Sequence, residues 1–242
     1  MAGVWLILPT YDEAQNVEAI VAAALPRLAA TGREHRILVV DDNSPDGTGA
    51  IADRLATEHA EVEVLHRARK QGIGPAYLAG FERALAGGAD LLMEMDSDFS
   101  HDPADIPRLV AASERADLVL GSRYVHGGGV TDWGRARRWI SRGGSLYARV
   151  ALGIDVNDLT GGFKCFRREV LETLDLADVG TDGYGFQIEV TYRALRAGFR
   201  VEEVPILFRD RRVGASKMSA KIALEAFWKV PLLRWRGRSA PH

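Results

Sequence analysis

Two aspartates separated by one serine, Asp96-Ser97-Asp98, follow the apolar run Leu91-Leu92-Met93-Glu94-Met95, at the point where such a run would open into a loop. Carboxylates at this spacing can both approach one hard divalent cation that also takes diphosphate oxygens. Burying one there without a cation would be costly. The same stretch has a plainer use, since Asp98, Ser100 and Asp102 can form turns and cap the helix that follows. Other polar clusters also come just after short apolar runs. Pro9-Thr10-Tyr11-Asp12-Glu13 offers a flat ring for a base, and an acid that equally suits a helix start. Asp41-Asp42-Asn43-Ser44-Pro45-Asp46-Gly47-Thr48 offers acids for ribose hydroxyls or a base edge, while Ser44 to Gly47 is also ordinary turn chemistry. Lys70-Gln71-Gly72-Ile73-Gly74-Pro75 sets glycines before a helix, as a phosphate cradle or a tight turn.

Placing these clusters requires an alternating scaffold. With 242 residues, 47% hydrophobic and 26% charged, the chain can bury the core of one large α/β domain. Val4 to Pro9, Ile37 to Asp41, Val62 to Arg67, Ala89 to Asp96 and Asp117 to Ser122 read as strands. Glu13 to Ala30, Asp46 to His59, Pro75 to Gly87 and Pro103 to Ser113 read as helices, with Asp46 and Asp102 as N-caps and Pro75 and Pro103 in first turns. Repeated strand–helix–strand units predict a mainly parallel central sheet with helices on both faces. Ligands of such sheets bind at the carboxyl ends of the strands, where the clusters lie. A Gly-x-Gly-x-x-Gly turn after the first strand is absent, which argues against a dinucleotide cofactor.

A formal charge of −2 gives no overall attraction for nucleic acid. Basic function must therefore be local. Arg135, Arg137, Arg138 and Arg142 surround Trp133, Trp139 and Ser141, and guanidinium forks match phosphate geometry. The alternative is a solvated helix face. Near the C-terminus Phe227, Trp228, Leu232, Leu233 and Trp235 interleave with Lys229, Arg234, Arg236 and Arg238, a composition suited to a headgroup region or to a helix packed on the core. No apolar stretch reaches the roughly 18 residues of a spanning helix, the N-terminus has no secretory pattern, and Cys165 is the only cysteine. These features predict a cytoplasmic protein that meets a membrane from outside. Residues 1–220 are expected to form the catalytic domain and 221–242 an amphipathic, basic segment. His101 and His126 lack partners at ligand spacing and read as polar surface groups. Cys165 reads as a small buried hydrophobe.

Taken in order, Pro9 to Glu13, Val39 to Thr48, Asp96-Ser97-Asp98 and Gly121-Ser122-Arg123-Tyr124 resemble the family-2 glycosyltransferases with the GT-A fold. Thr160-Gly161-Gly162-Phe163-Lys164-Cys165-Phe166, Tyr184 to Glu189 and Arg211 to Lys217 resemble the dolichol-phosphate (polyprenol-phosphate) mannose synthases within it. The resemblance implies inverting transfer of mannose from GDP-mannose to a polyprenyl monophosphate, with Mg²⁺ or Mn²⁺. Pro9, Tyr11, Glu13, Val40, Asp42 and Lys70 would hold the guanosine. Asp96, Ser97 and Asp98 would contact donor and metal, with Asp98 the principal ligand and Ser100 a third contact. Arg123 would meet phosphate, and Arg211 and Lys217 would close over the donor. Arg123, Arg137 and Ser141 are the candidates for the acceptor phosphate. Asp98 and Arg123 are the expected catalytic residues. Gln187 and Glu189 would face the acceptor, although Glu189 also suits a plain helix face. Asp12 stands where Asn is commoner, and Ser100 where some relatives carry Gln. A separate membrane-anchoring protein is a further possible partner. The alternatives are a glucosyltransferase using UDP-glucose on the same fold and a non-catalytic nucleotide-sugar-binding subunit.

Overall fold

The computed structural model describes residues 3–131, 133–174, 176, 179, 184–210, 230, 231, 233 and 234. Alternating apolar runs and amphipathic stretches fold into strands β1 (Gly3–Thr10), β2 (His35–Asp41), β3 (Val62–His66), β4 (Ala89–Glu94) and β5 (Leu118–Ser122), connected by helices α1 (Val17–Ala29), α2 (Thr48–Glu58), α3 (Ile73–Ala86) and α4 (Ile106–Ala112). After these come β6 (Gly129–Val130), α5 (Arg135–Leu152), β7 (Lys164–Arg167), α6 (Arg168–Thr173), α7 (Tyr184–Arg196), β8 (Val201–Pro205) and β9 (Leu207–Phe208). The main sheet has seven strands in the order β3-β2-β1-β4-β7-β5-β8, and β6 pairs with β9 in a small second sheet.

Strand alternation divides the core. Val4, Leu6 and Leu8 of β1 face α1, α2 and α4, whereas Trp5 and Ile7 face α3 and the later helices. Gly80 of α3 permits a close approach: a Cβ there would fall 2.5 Å from Ile7 Cγ2. The expected parallel sheet is present apart from β7, which enters between β4 and β5 and runs antiparallel to both. This strand was not among those expected from periodicity. It carries part of the Thr160–Phe166 motif and sets Lys164 opposite Glu94.

Two local expectations are corrected. Helix α1 begins at Val17 rather than Glu13, because the Glu13 carbonyl closes a preceding turn by accepting from the amides of Asn16 and Val17. Gly47, at φ 93°, takes the N-cap position of α2 in place of Asp46. Asp46 accepts instead from the Thr48 amide and hydroxyl and from the Ala14 amide, tying the loop after β2 to the loop after β1. Asp102 does cap the next segment, a 3₁₀ turn at Pro103–Asp105, by accepting from the Ala104 amide at 2.9 Å.

Part of the C-terminal segment packs on the core. Val230 is buried there with Leu233 against it, and Arg234 donates to the Ala151 carbonyl at the end of α5. No described helix is long and apolar enough to cross a membrane.

Candidate active site

The loops after β1, β2 and β4 meet at the carboxyl ends of these neighbouring parallel strands, and each contains a non-glycine residue at positive φ: Asp12 at 54°, Asn43 at 58° and Phe99 at 62°. Asp and Asn tolerate this conformation, so the chain keeps the required backbone at position 12 with either residue. Phe99 does not, and a bulky side chain there marks a strained turn within the Asp98-Phe99-Ser100 segment. Side chains lace the loops together. The Asp12 amide donates to Ser44 Oγ, the Glu13 amide to Thr48 Oγ1, and Ser97 Oγ to the Pro9 carbonyl at 3.1 Å.

Among the residues expected at the nucleoside, Lys70 Nζ lies 3.8 Å above the Tyr11 ring, so those two candidates come together. Asp42 holds the Arg67 guanidinium and accepts from the Gln71 amide, and Arg67 also reaches Gln71 Oε1 at 2.7 Å. Burial raises the Asp42 carboxyl pKa above its ordinary value against the pull of Arg67. Glu13 accepts from Asn16 Nδ2 at 2.8 Å, a local tie at the start of the helix. The Val40 side chain lies in the core, and its carbonyl accepts from Thr10 Oγ1, so only its main chain is left to meet a ligand.

At the end of β4, the Asp96 side chain is 26% exposed and Asp98 is buried. The Tyr77 hydroxyl donates to Asp96 Oδ1 at 3.4 Å, and the Ser100 amide to Asp98 Oδ1 at 3.0 Å. Ser100 Oγ is buried and finds no hydrogen-bond partner among the described residues. An orphaned hydroxyl next to two aspartates suits a divalent cation that would take Asp96, Asp98 and Ser100 as ligands. Among the described residues, no group of three or more His, Cys, Asp or Glu is placed to hold an ion, so substrate oxygens would have to complete the shell.

His101 departs from the expectation of a surface group. It is buried, its Nδ1 accepts from the Asp96 amide at 3.3 Å, and its ring lies against Phe163. Burial lowers its pKa to about 4, which leaves it neutral at pH 7. His126 is exposed as expected. Beneath the loop, burial pushes Glu94 up to about 7 and Lys164 down to about 8, each against the other's charge. Lys164 Nζ donates to the Gln187 carbonyl and Thr191 Oγ1, fastening α7 to β7.

Arg123, at the end of β5, is buried and spends Nε and Nη2 on Asp158 at 2.7 Å each, while its amide donates to the same carboxylate at 2.9 Å. Burial pushes Asp158 up, but the charge and hydrogen bonds of Arg123 outweigh it and hold the carboxyl pKa below its ordinary value. Nη2 also donates to Thr160 Oγ1. The fork expected to face phosphate is thus committed to a protein carboxylate, and Arg123 serves first to lock the Asp158–Thr160 loop onto β5. The Tyr124 hydroxyl donates to Ser141 Oγ at 2.6 Å. The Arg137 guanidinium lies 4.3 Å from the Trp133 ring centre and donates to Asp210 at 3.1 Å. Trp133 and Tyr124 both lie beside Arg123, so the three acceptor candidates gather around these rings. Glu189 is buried and accepts from Arg193 one turn on.

A family model described as glycosyl transferase family 2 matches residues 5–175. The chain belongs to that family. Among curated relatives of this glycosyltransferase, the undecaprenyl-phosphate mannosyltransferase of Micrococcus luteus is 46% identical over 238 residues, covering 97% of this chain and 96% of the relative. The polyprenol monophosphomannose synthase of Mycolicibacterium smegmatis is 47% identical over 235 residues, covering 96% and 87%. Glucosyl-3-phosphoglycerate synthase from Mycobacterium tuberculosis, in complex with Mn²⁺, UDP and phosphoglyceric acid, superposes with a TM-score of 0.69 at 22% identity, covering 100% of this chain and 80% of that one. The fold is the GT-A fold of these enzymes.

The glycosyltransferase therefore has Pro9, Tyr11, Lys70, Asp42, Asp96, Ser97, Asp98 and Ser100 around one rim, and Arg123, Arg137 and Ser141 around another. Arg211 and Lys217 lie outside the described residues. The sequence alone assigned no role to Arg67 or Asp158 and placed His101 at the surface. Arg67 closes the predicted third strand, and His101 directly follows Ser100. Asp158, 35 positions from Arg123, leaves no local signal.

Proposed function

We propose that the glycosyltransferase moves mannose from GDP-mannose to a polyprenyl monophosphate, working as a peripheral protein at the cytoplasmic face of a membrane. The observation that carries this reading is the outer surface of α5. Trp139 is 76% exposed, Ile140 75%, Leu146 59% and Val150 69%. Trp139, Gly143, Leu146 and Val150 fall at spacings of four, three and four, which aligns them on one helix face. Arg138 and Arg142 are also exposed on this helix. A groove of about 360 Å³ runs from Trp139, Arg142 and Leu146 to Tyr124, whose hydroxyl holds Ser141. Phosphate-selecting groups thus adjoin a surface suited to lipid, which an acceptor with an anionic head and an apolar tail requires. Both 46–47% identical relatives bear names of polyprenyl-phosphate mannose transfer, which supports the same acceptor class and sugar here.

The acceptor phosphate is anionic at neutral pH and can attack the sugar's C1 without a general base. One bond forms from phosphate oxygen to C1 as the bond from C1 to the diphosphate oxygen breaks on the opposite face, so the anomeric centre inverts. A divalent ion held by Asp96, Asp98 and Ser100 would act as Lewis acid toward the departing diphosphate. The chain's own residues position the partners: Tyr11 and Lys70 at the base, Asp42 with Arg67 at the nucleoside, Arg137 and Ser141 at the acceptor head. Arg123, pinned by Asp158, backs the Tyr124 and Trp133 rings on the acceptor side. Arg211 and Lys217 are proposed to contact the donor diphosphate.

The test is transfer of radiolabelled mannose from GDP-mannose to undecaprenyl phosphate in detergent, with Mg²⁺ or Mn²⁺ and with a chelator. Chelator-sensitive label in the organic phase is the expected result. Transfer from UDP-glucose in place of GDP-mannose would keep the acceptor and overturn the sugar.

A further inference from the structure

The short strand β9 and the two residues after it touch both rims of the site. The Arg209 amide donates to the Ser100 carbonyl at 3.0 Å, and its guanidinium reaches Asp102 at 3.6 Å, so this segment is bound to the loop that carries the metal candidates. The next residue, Asp210, holds Arg137 of α5. Between them stands Phe208. Its ring meets His101 edge-on, with centroids 5.3 Å apart at 79°, and meets Trp133 with centroids 5.4 Å apart at 70°. Arg123 lies 5.4 Å from the same ring centre. His101 in turn accepts from the Asp96 amide, and Trp133 carries Arg137 on its face. A continuous packed path therefore runs from Asp96 through His101, Phe208 and Trp133 to Arg137.

We propose that Phe208 is a positioning residue that couples the two half-reactant sites: ordering the Asp96–Ser100 loop around metal and nucleoside diphosphate fixes Trp133 and Arg137 for the acceptor phosphate. The inference rests on the donor and acceptor sides assigned above and adds the means by which one prepares the other. Its physical basis is that the path consists of close-packed rings backed by main-chain hydrogen bonds. The Thr131 amide donates to the Phe208 carbonyl at 2.8 Å, which keeps the strand paired whatever side chain occupies position 208. A shift of the His101 ring must then displace Phe208 and with it Trp133, because packed interiors do not absorb such movements smoothly. By linkage the effect is reciprocal, so acceptor binding tightens nucleotide binding by the same factor.

The experiment measures the dissociation constant of farnesyl phosphate by calorimetry, alone and in the presence of saturating Mn²⁺ with GDP or with UDP. It is run on the wild-type chain, Phe208→Leu and Phe208→Tyr. The wild-type preference between GDP and UDP scores the donor reading separately from the coupling. For the preferred nucleotide, the wild-type chain is expected to bind farnesyl phosphate about fivefold or more tightly than without it. Phe208→Leu keeps the backbone pairing and an apolar side chain but lacks the ring, and brings that ratio close to one. Phe208→Tyr restores it. A wild-type ratio of one, or a Leu variant that keeps the wild-type ratio, overturns the inference. So does a Leu variant that weakens both ligands equally while its ratio stays intact, since that is the mark of a merely structural role.

Discussion

Asp98 is buried, accepts from the Ser100 amide and sits beside an unpartnered Ser100 hydroxyl. Asn at this position keeps the shape and removes the charge. Asp98→Asn should therefore retain the wild-type circular dichroism and lose roughly 10²–10³-fold in turnover, as expected for a main electrostatic stabiliser. Asp158 belongs to a different case. With Arg123 buried against it, Asp158→Ala leaves an uncompensated charge in the interior and should cost about 3–5 kcal/mol in urea unfolding. The sign of the pH effect follows from its lowered pKa. The pair's contribution is complete above the unfolded carboxyl value of about 4 and is lost only as pH falls through the lower folded value. Wild-type and Asp158→Ala stabilities should thus converge in strong acid and stay apart at neutral pH. Cys165 lies buried in β7, and burial pushes its thiol up to about 12. A thiol-reactive disulfide reagent should leave it unmodified in the native protein and label one equivalent after denaturation.

Periodicity located β1 to β5 and α1 to α4 because each of those strands is a short apolar run and each helix buries one stripe. β7 escaped notice for a physical reason. It is four residues long, it holds a buried lysine and an arginine, and its place in the sheet depends on partners far along the chain. The loop motifs at the ends of β1, β2 and β4 were legible as polar clusters after strands. Which of their side chains face the opening was not: Val40 turned into the core, and Arg123 was taken by Asp158. Helix α5 was legible only as a cluster of arginines and tryptophans, and its exposed face emerged once the rest of the chain had packed. If that face meets a bilayer, Trp139→Ser, Leu146→Ser and Val150→Ser together should weaken binding to vesicles containing phosphatidylglycerol by about tenfold or more. Burying such a side chain completely is worth about 1.5–3 kcal/mol, against about 1 kcal/mol for each arginine near an anionic surface. High salt should accordingly weaken vesicle binding less than the triple substitution does.

The described residues form a sheet whose central strands gather three laced loops at their carboxyl ends, with an arginine-bearing helix standing beside them and β9 running between the two. None of the described helices is long and apolar enough to cross a membrane. The exposed face of α5 then has a kinetic consequence. Once the enzyme rests on a membrane, it encounters its lipid by lateral diffusion in two dimensions. The relevant concentration becomes molecules per unit area of bilayer rather than molecules per volume of solution. Adding inert phospholipid at a fixed amount of polyprenyl phosphate should slow the reaction, even though nothing in the bulk has been diluted. Enlarging the vesicle pool at constant mole fraction should leave the rate unchanged once all the enzyme is bound. Cells could thus set the output of such an enzyme by how crowded the carrier is within its membrane.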